Sequence, residues 1–411
     1  MKLMITEIGE LVQVEESIRA KVDGDDMASL KTIKGAFLLI DGDIITDFGP
    51  MNKAPADADK IINASGKMVF PCWCDSHTHL VYASSREEEF VDRINGLTYE
   101  EIAEKGGGIL NSAKRLQDTN EEDLLEQAYL RLGEIKDFGT GAVEIKSGYG
   151  ITFDAEMKML RVIKKLKGIS PLTIKATFLG AHAIPTEYKE RRQDYIDLVI
   201  NKMLPKVAEE ELAEYCDVFC DNGFFSPEET ESILKAADKY GLKPKIHGNE
   251  LSNSGGVQVA IDNCALSVDH LESIGDAEIE ALKKDENIMP CIMPSVAFFL
   301  NMDYSPARKL IDAGVPISLA SDYNPGSTPS GKMPFVISLA CIKLRMTPEE
   351  AINAATINGA YAMDLSSSHG SIARGKRANI FITKKIPSLA YIPYAFGGDH
   401  IETVIINGEV Q

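Results

Sequence analysis

Histidine and aspartate residues of this 411-residue chain have types and spacing that suit metal-assisted hydrolysis. His77 and His79 are two residues apart, so on an extended segment both imidazoles point to the same side and can reach one ion. His247 and Asp322 can complete a set of three nitrogens and one oxygen that leaves a position for water. Such a set suits zinc, iron or a similar divalent ion.

The elements that must position these residues repeat as strand and then helix. Apolar runs typical of buried strands occur eight times, at residues 68–74, 141–145, 174–179, 215–220, 243–247, 265–270, 287–293 and 316–321. Helix-start signals with an N-cap, a first-turn proline and a capping-box glutamate begin at Ser226 and at Thr347. This alternation predicts an α/β fold, a (β/α)8 barrel of the TIM type, over residues 68–365. A doubly wound sheet is the alternative, but no GxGxxG motif follows the first run.

Both ends of the chain predict strands without helices between them. Residues 35–49 form two β-branched runs joined by the turn pair Asp41-Gly42. Residues 378–385 and 402–411 repeat this pattern, with a turn at Asn407-Gly408. Neither end can bury a sheet face alone. We therefore expect residues 1–67 and 366–411 to form one small composite β-sandwich domain.

The active site of such a barrel gathers at the carboxyl ends of its strands. The eighth predicted strand ends at Asp322, and five of the seven histidines lie at or just past strand ends: His77, His79, His182, His247 and His270. Each residue also has an ordinary interpretation, because a histidine pair is often half buried and an aspartate often caps a helix. Independent structural roles would not distribute the four candidate ligands over the first, fifth and eighth strand ends. The distribution therefore favours a metal site.

Composition bounds the partners and the compartment. With 62 Asp and Glu against 43 Lys and Arg the net charge is −19, which repels nucleic acid and anionic lipid. No nucleic-acid or membrane partner is therefore expected. The seven cysteines form no even-spaced disulfide framework. The first residues contain no apolar run long enough for a signal peptide or membrane span, so a cytoplasmic location is predicted.

The motif PCWCDSHTHL, with a histidine at the fifth strand and an aspartate at the eighth, resembles the amidohydrolase superfamily of metal-dependent hydrolases. Members combine a distorted (β/α) barrel with a β-sandwich made from both chain ends. Within the superfamily, further segments are similar to the imidazolonepropionase family: SSREEEF at 84–90, KGGGIL at 105–110, EIKSGYG at 144–150, FLGAHAIP at 178–185, KIHGNE at 245–250, VDHL at 268–271 and SDYNPGS at 321–327.

The resemblance implies hydrolysis of the cyclic amide of 4-imidazolone-5-propanoate to N-formimidoyl-L-glutamate by a metal-bound hydroxide, a step in histidine degradation. It implies the metal ligands His77, His79, His247 and Asp322. One zinc or iron ion is expected, because binuclear relatives carry a lysine at the end of the fourth strand, where this chain has Cys220-Asp221. The resemblance assigns the substrate to Arg86, Tyr149, His182, Glu250, Asn324, Gly326 and Ser327. A homodimer is expected only by analogy.

Chemical reasoning gives three of these residues catalytic roles. Asp322 can ligate the metal and accept the proton of the attacking water. His270 can donate a hydrogen bond to the carbonyl oxygen, and Glu250 can exchange a proton with a ring nitrogen. Arg86 offers a planar fork that matches the propanoate carboxylate, although an exposed arginine here would pair with Glu87, Glu88 or Glu89 instead.

Two other functions stay open from the sequence. A purine or pyrimidine aminohydrolase of the same superfamily would share the metal ligands and the His-x-x-Glu motif that ends at Glu250. A neutral nucleobase, however, has no use for Arg86. A non-catalytic scaffold would have lost ligands, and none is missing.

The chain departs from the family pattern at Gly248-Asn249, where an alanine and an acidic residue are usual.

Overall fold

The computed structural model of the chain describes residues 1–97, 101–102, 105 and 107–411. Its strands form two sheets, one of which is a barrel of eight parallel strands. In chain order, the strands are β1 (Lys2–Val12), β2 (Thr32–Asp41), β3 (Ile44–Pro50), β4 (Lys60–Asn63), β5 (Met68–Pro71), β6 (Trp73–Asp75), β7 (Thr140–Lys146), β8 (Thr173–Ala181), β9 (Tyr215–Cys220), β10 (Lys243–Gly248), β11 (Ser267–His270), β12 (Met289–Ile292), β13 (Ser318–Leu319), β14 (Ile380–Thr383), β15 (Ile401–Ile406) and β16 (Glu409–Val410).

The barrel sheet contains β6 to β13, side by side in chain order. It closes through the residues just past its first and last strands, where Thr78 pairs with Tyr323 as a parallel bridge. At this seam the Asp322 backbone N–H donates to the His77 carbonyl at 3.0 Å, and the His79 N–H donates to the Tyr323 carbonyl at 2.9 Å. Three of the four predicted metal ligands therefore lie on the two segments that close the barrel.

Helices follow the strands and cover the barrel, and the capping boxes predicted at Ser226 and Thr347 are confirmed. The Ser226 hydroxyl accepts from the Glu229 N–H at 3.2 Å. Within the described residues, the α-helices are Glu87–Ile94, Ile109–Asp118, Glu121–Asp137, Phe153–Ile169, Arg192–Leu198, Leu204–Glu209, Pro227–Asp238, Gly256–Asp262, Asp276–Lys284, Pro294–Leu300, Ala307–Asp312, Met333–Lys343, Pro348–Ala355, Ile357–Ala362 and Tyr391–Tyr394. None of the helices in these ranges is long and apolar enough to cross a membrane.

The two chain ends form the second sheet, as predicted. Its strand order is β16-β15-β14-β5-β1-β2-β3, and β4 pairs with β1 next to β5. The predicted hairpins are present as β2–β3 and β15–β16. Strands from the two ends of the chain share one apolar core, which contains Ile40, Phe48, Ile380 and Ile405. The barrel with a small sheet made by both chain ends is therefore confirmed, while the boundaries at residues 67/68 and 365/366 stay a prediction.

The first apolar run, residues 68–74, is not one barrel strand as the sequence suggests. Its first half is β5, which pairs with β1 and β14 in the terminal sheet. Its second half is β6, the first strand of the barrel. The exchange occurs at Cys72 and Trp73, whose N–H groups donate to the carbonyls of Asn379 and Gly139 respectively, both at 2.9 Å. An apolar run indicates burial but not the partner strand.

Two helical glycines predict opposite effects of alanine substitution. A Cβ at Gly359 would lie 2.3 Å from the Cys74 carbonyl oxygen, whereas one at Gly133 would have nothing within 4 Å. We expect Gly359→Ala to lower the free energy of unfolding by about 1–3 kcal/mol, because it overpacks the contact between the helix Ile357–Ala362 and β6. Gly133→Ala should raise it by up to about 1 kcal/mol through helix propensity. Urea unfolding measures both, and equal shifts would contradict this prediction.

Candidate active site

Four predicted ligands converge at the carboxyl end of the barrel. His77 and His79 follow β6, His247 lies on β10 and Asp322 follows β13. One ring nitrogen from each of the three histidines lies within 4.8 Å of the others. The Oδ1 atom of Asp322 is 3.5 Å from the Nε2 atoms of both His77 and His79. All four residues are at most 3% exposed.

The donor set fits a divalent metal ion. Among the described residues, His77 Nε2, His247 Nε2 and Asp322 Oδ1 are buried without a hydrogen-bond partner. Buried polar atoms in proteins are almost always paired, so three unpaired atoms in one cluster indicate a shared ligand. Burial lowers the pKa of His77 and of His79 well below the usual value, which keeps the rings neutral as metal ligation requires.

Two buried carboxylates bind the Nδ1 atoms of two of the histidines and so orient their rings. Asp269 Oδ2 lies 2.6 Å from His77 Nδ1, and Asp217 Oδ2 lies 2.9 Å from His247 Nδ1. Asp217 also accepts the backbone N–H of His247 at 3.0 Å. A carboxylate on Nδ1 fixes the tautomer that leaves Nε2 free for a metal. The rings of His77 and His247 are thus both held with Nε2 toward the place where the predicted ligands converge.

Lys146 joins these two carboxylates. Its Nζ atom is 2.7 Å from Asp217, 2.7 Å from Glu144 and 3.4 Å from Asp269. Lys245 forms a further ion pair with Glu144. All five side chains are fully buried. Although burial opposes its ionisation, the neighbouring His247 and Lys146 hold the pKa of Asp217 well below its usual value.

These five charged residues were missed in the sequence, although a weak signal existed. Glu144 and Lys146 are two residues apart on β7, as are Lys245 and His247 on β10. Residues at i and i+2 of a strand share a face. Charged residues that recur at this spacing within otherwise apolar strands therefore indicate a polar barrel interior beneath the ligands.

A second group of side chains adjoins the cluster. His270 Nε2 lies 3.6 Å from Glu250 Oε2, and His270 Nδ1 lies 3.9 Å from Glu272 Oε2. Burial, with the negative charge of Glu272 nearby, raises the pKa of Glu250 well above its usual value. Burial also raises the pKa of Glu272 to about 8 and that of Asp322 to about 7. Glu272 was not predicted from the sequence.

Backbone conformation is unusual at these strand ends. Asn249, His270, Leu271 and Asp322 have positive φ angles of 55°, 86°, 66° and 52°. Asparagine and aspartate both tolerate the left-handed region, so this conformation does not by itself explain Asn249 in place of an acidic residue. The Oδ1 atom of Asn249 accepts the Val257 N–H at 3.1 Å, and its Nδ2 atom, which a carboxylate lacks, donates to Asn253 Oδ1 at 2.9 Å.

The seven residues predicted to contact substrate surround one cavity of about 490 Å³ above the cluster. They are Arg86, Tyr149, His182, Glu250, Asn324, Gly326 and Ser327. The cavity also has an apolar wall that includes Phe219, Phe224, Leu300 and Met302, none of which was predicted. A cavity of this size suits a small organic ligand. Gly106 of the KGGGIL segment lies outside the described residues.

The loop after β13 is built around one asparagine. Asn324 Oδ1 accepts the backbone N–H groups of Gly326 at 2.8 Å and Ser327 at 2.9 Å. The Ser327 hydroxyl donates to Asp322 Oδ2 at 3.2 Å. Asn324 and Ser327 therefore shape the cavity wall and hold the carboxylate of a predicted ligand.

Arg86 has a glutamate partner and also lies at the cavity, while substrate binding by Arg86 stays a prediction. It pairs with Glu89, with Nη2 and Oε2 2.5 Å apart, and it also lines the cavity. The pair is not at the surface, because the two side chains are only 12% and 11% exposed.

Comparison with known proteins agrees with this geometry. The model of the amidohydrolase family matches residues 68–410. The imidazolonepropionase of Flavobacterium johnsoniae is 60% identical over 411 residues, which cover all of both chains. That of Thermoanaerobacter pseudethanolicus is 42% identical over 385 residues, 93% of this chain and 91% of the relative.

A solved structure shares the fold at low sequence identity. The atrazine chlorohydrolase of Arthrobacter aurescens, complexed with zinc, superposes with a TM-score of 0.75 and 15% identity, and the match covers 99% of this chain and 94% of that one. At this identity the likeness concerns the fold alone. Together with the full-length relatives, the matches show that the chain belongs to the amidohydrolase family and, within it, to the imidazolonepropionase family.

Proposed function

We propose that this protein hydrolyses the cyclic amide of 4-imidazolone-5-propanoate to N-formimidoyl-L-glutamate. The observation that carries the proposal is one cavity lined both by the buried Arg86 and by His182, whose ring stacks on His79 of the buried three-histidine cluster. The cluster suits water activation, and the arginine suits the remote carboxylate of this substrate. The names of the full-length relatives support the same reaction.

His77, His79, His247 and Asp322 would hold one divalent ion, for which zinc and iron are both suited to nitrogen and carboxylate donors. When bound, such an ion lowers the pKa of a water molecule to about 7 and so supplies a nucleophile at neutral pH. Asp269 and Asp217 keep the Nδ1 atoms of His77 and His247 engaged, so the Nε2 atoms stay available.

The remaining polar residues bind substrate and move protons. Arg86 donates hydrogen bonds to the propanoate carboxylate, while Tyr149 and His182 form the wall beside His79. Asp322 takes the proton of the attacking water, and His270 donates to the carbonyl oxygen as its charge develops. Glu250, whose pKa is raised well above its usual value by burial, gives a proton to the ring nitrogen that leaves.

We also propose that the protein acts in the cytoplasm. All seven cysteines lie in described positions and carry free thiols, which fits a reducing compartment. A homodimer stays a prediction, and sedimentation of the purified protein tests it.

The first expected result concerns the substrate. The purified protein should hydrolyse 4-imidazolone-5-propanoate and leave guanine, adenine and cytosine unchanged. A neutral base has no carboxylate that could pair with Arg86. Product formation measured for all four compounds at equal enzyme concentration decides between the two hydrolases. Turnover of a nucleobase without the imidazolone would favour the aminohydrolase, and turnover of none would favour the scaffold.

The second expected result concerns the metal. His247→Ala should lose about one equivalent of bound divalent ion, because the variant lacks one of the four protein ligands. Elemental analysis of the purified variant measures this directly. His400→Ala is the matched control, since His400 precedes β15 in the terminal sheet, where its ring contacts the Ala395 carbonyl and Tyr391. Equal metal content in both variants would remove His247 from the ligand set.

The third expected result separates the proton carriers. Glu250→Gln keeps the shape of the side chain but cannot exchange a proton, so kcat should fall by about 10² to 10⁴ with metal content unchanged. Asp322→Asn should lower kcat severely and also weaken metal retention, because a neutral amide is a poorer ligand. Steady-state kinetics with elemental analysis tests both. Metal loss in Glu250→Gln alone would require a different ligand set.

A further inference from the structure

Arg86 lines the cavity, and its guanidinium group has different neighbours on its two sides. The residue precedes the helix Glu87–Ile94, and its side chain packs against the loop after β13. A Cβ at Gly326 would lie 2.3 Å from Arg86 Nη1 and 3.1 Å from Cζ. The Nη1 edge of the guanidinium therefore faces the backbone of the predicted substrate loop, and glycine at 326 provides the space.

Glu89 binds the opposite edge of the same group. Its Oε2 atom accepts from Arg86 Nε at 2.8 Å and from Nη2 at 2.5 Å, and neither bond uses Nη1. Both bonds go to one carboxylate oxygen, and each is a charge-assisted hydrogen bond, stronger than a neutral one. The Nη1 group of Arg86 is thus not engaged by Glu89.

Burial distinguishes Glu89 from its neighbours on the helix. Glu89 is buried, whereas Glu87 and Glu88 are exposed. An unpaired guanidinium in the cavity wall would be costly before substrate arrives. Glu89 removes that cost and leaves Nη1 in place, so the arginine need not rearrange when an anion binds.

Glu89 also holds the glycine segment that leads to the next helix. Its second oxygen, Oε1, accepts the Gly108 N–H at 3.0 Å. A Cβ at Gly107 would lie 2.9 Å from the Ile102 carbonyl oxygen and 3.0 Å from the Glu89 carboxyl carbon, so glycine suits this tightly packed segment. The helix Ile109–Asp118 begins at the next residue, and Ile109 itself lines the cavity. One carboxylate therefore fixes both Arg86 and the start of this helix.

We propose that Glu89 is a positioning residue for carboxylate recognition, which holds Arg86 so that its Nη1 edge meets the anionic end of the substrate. The inference rests on the proposed function for the identity of that anion. It predicts that loss of the Glu89 charge weakens binding of carboxylate ligands and spares neutral ligands of the same shape.

The test measures Kd for two probes, imidazole-4-propanoate and its primary amide, by calorimetry on the metal-loaded protein. Glu89→Gln should raise Kd for the propanoate about tenfold to hundredfold, the range for losing a hydrogen bond to a charged group. The Kd for the amide should stay unchanged. Glu88→Gln is the matched control on the same helix and should change neither. For the natural substrate, the loss should appear mainly in KM.

A double-mutant cycle separates positioning from a purely structural role. In the Arg86→Met background, Glu89→Gln should cause no further loss of propanoate affinity, because its effect passes through the arginine. Glu89→Asp keeps the charge but withdraws it by one methylene. This variant should give a smaller loss, again confined to the propanoate, and it serves if Glu89→Gln does not fold.

Equal weakening of both probes, additive losses in the cycle, or unchanged Kd values in Glu89→Gln would each overturn the positioning role. The proposed function fails in a different way, through wild-type protein that does not hydrolyse the imidazolone.

Discussion

The candidate site depends on a buried ion cluster beneath it. Lys146 lies between Asp217 and Asp269, and these two carboxylates hold the rings of His247 and His77. Removing charges from water is expensive, and a buried pair is tolerable only when each member is fully engaged. Here each carboxylate oxygen that pairs with Lys146 also has a second hydrogen-bond partner. Loss of one charge would leave the others uncompensated, so the histidines, the carboxylates and the lysine behave as one unit.

Backbone strain adds to this constraint at the strand ends. His270 and Asp322 are non-glycine residues with left-handed backbone, a conformation that surrounding structure must enforce. The His270 carbonyl accepts from the Ser305 hydroxyl at 2.8 Å, and the Asp322 N–H is bound to the His77 carbonyl. These contacts hold the backbone that places His270 beside Glu250 and Asp322 beside Ser327, two residues that line the cavity. The arrangement is therefore enforced by the protein's own contacts, as a preorganised site requires.

The sequence predicts the barrel, the terminal sheet and the residues at strand ends, because strand alternation, turn pairs and polar residues at fixed positions are local patterns. It does not reveal Asp217 and Asp269, because an aspartate inside an apolar strand gives no sign of which histidine it faces. The sequence pattern predicts one strand where the structure has β5 and β6, because hydrophobicity does not specify a hydrogen-bond partner. Glu89 belongs to a run of three glutamates that look alike in sequence, and only the packing of its helix separates it from the other two.

The seam of the barrel has a thermodynamic consequence. The segments that carry His77, His79 and Asp322 are also those whose backbone bonds join the first barrel strand to the last. An ion that binds side chains from both segments can do so only while the seam is intact. Ion binding and barrel closure are therefore linked equilibria, and saturation at a hundred times Kd would stabilise the closed barrel by about 2.7 kcal/mol. By the same linkage, amide hydrogens of this seam would exchange more slowly as the ion concentration rises.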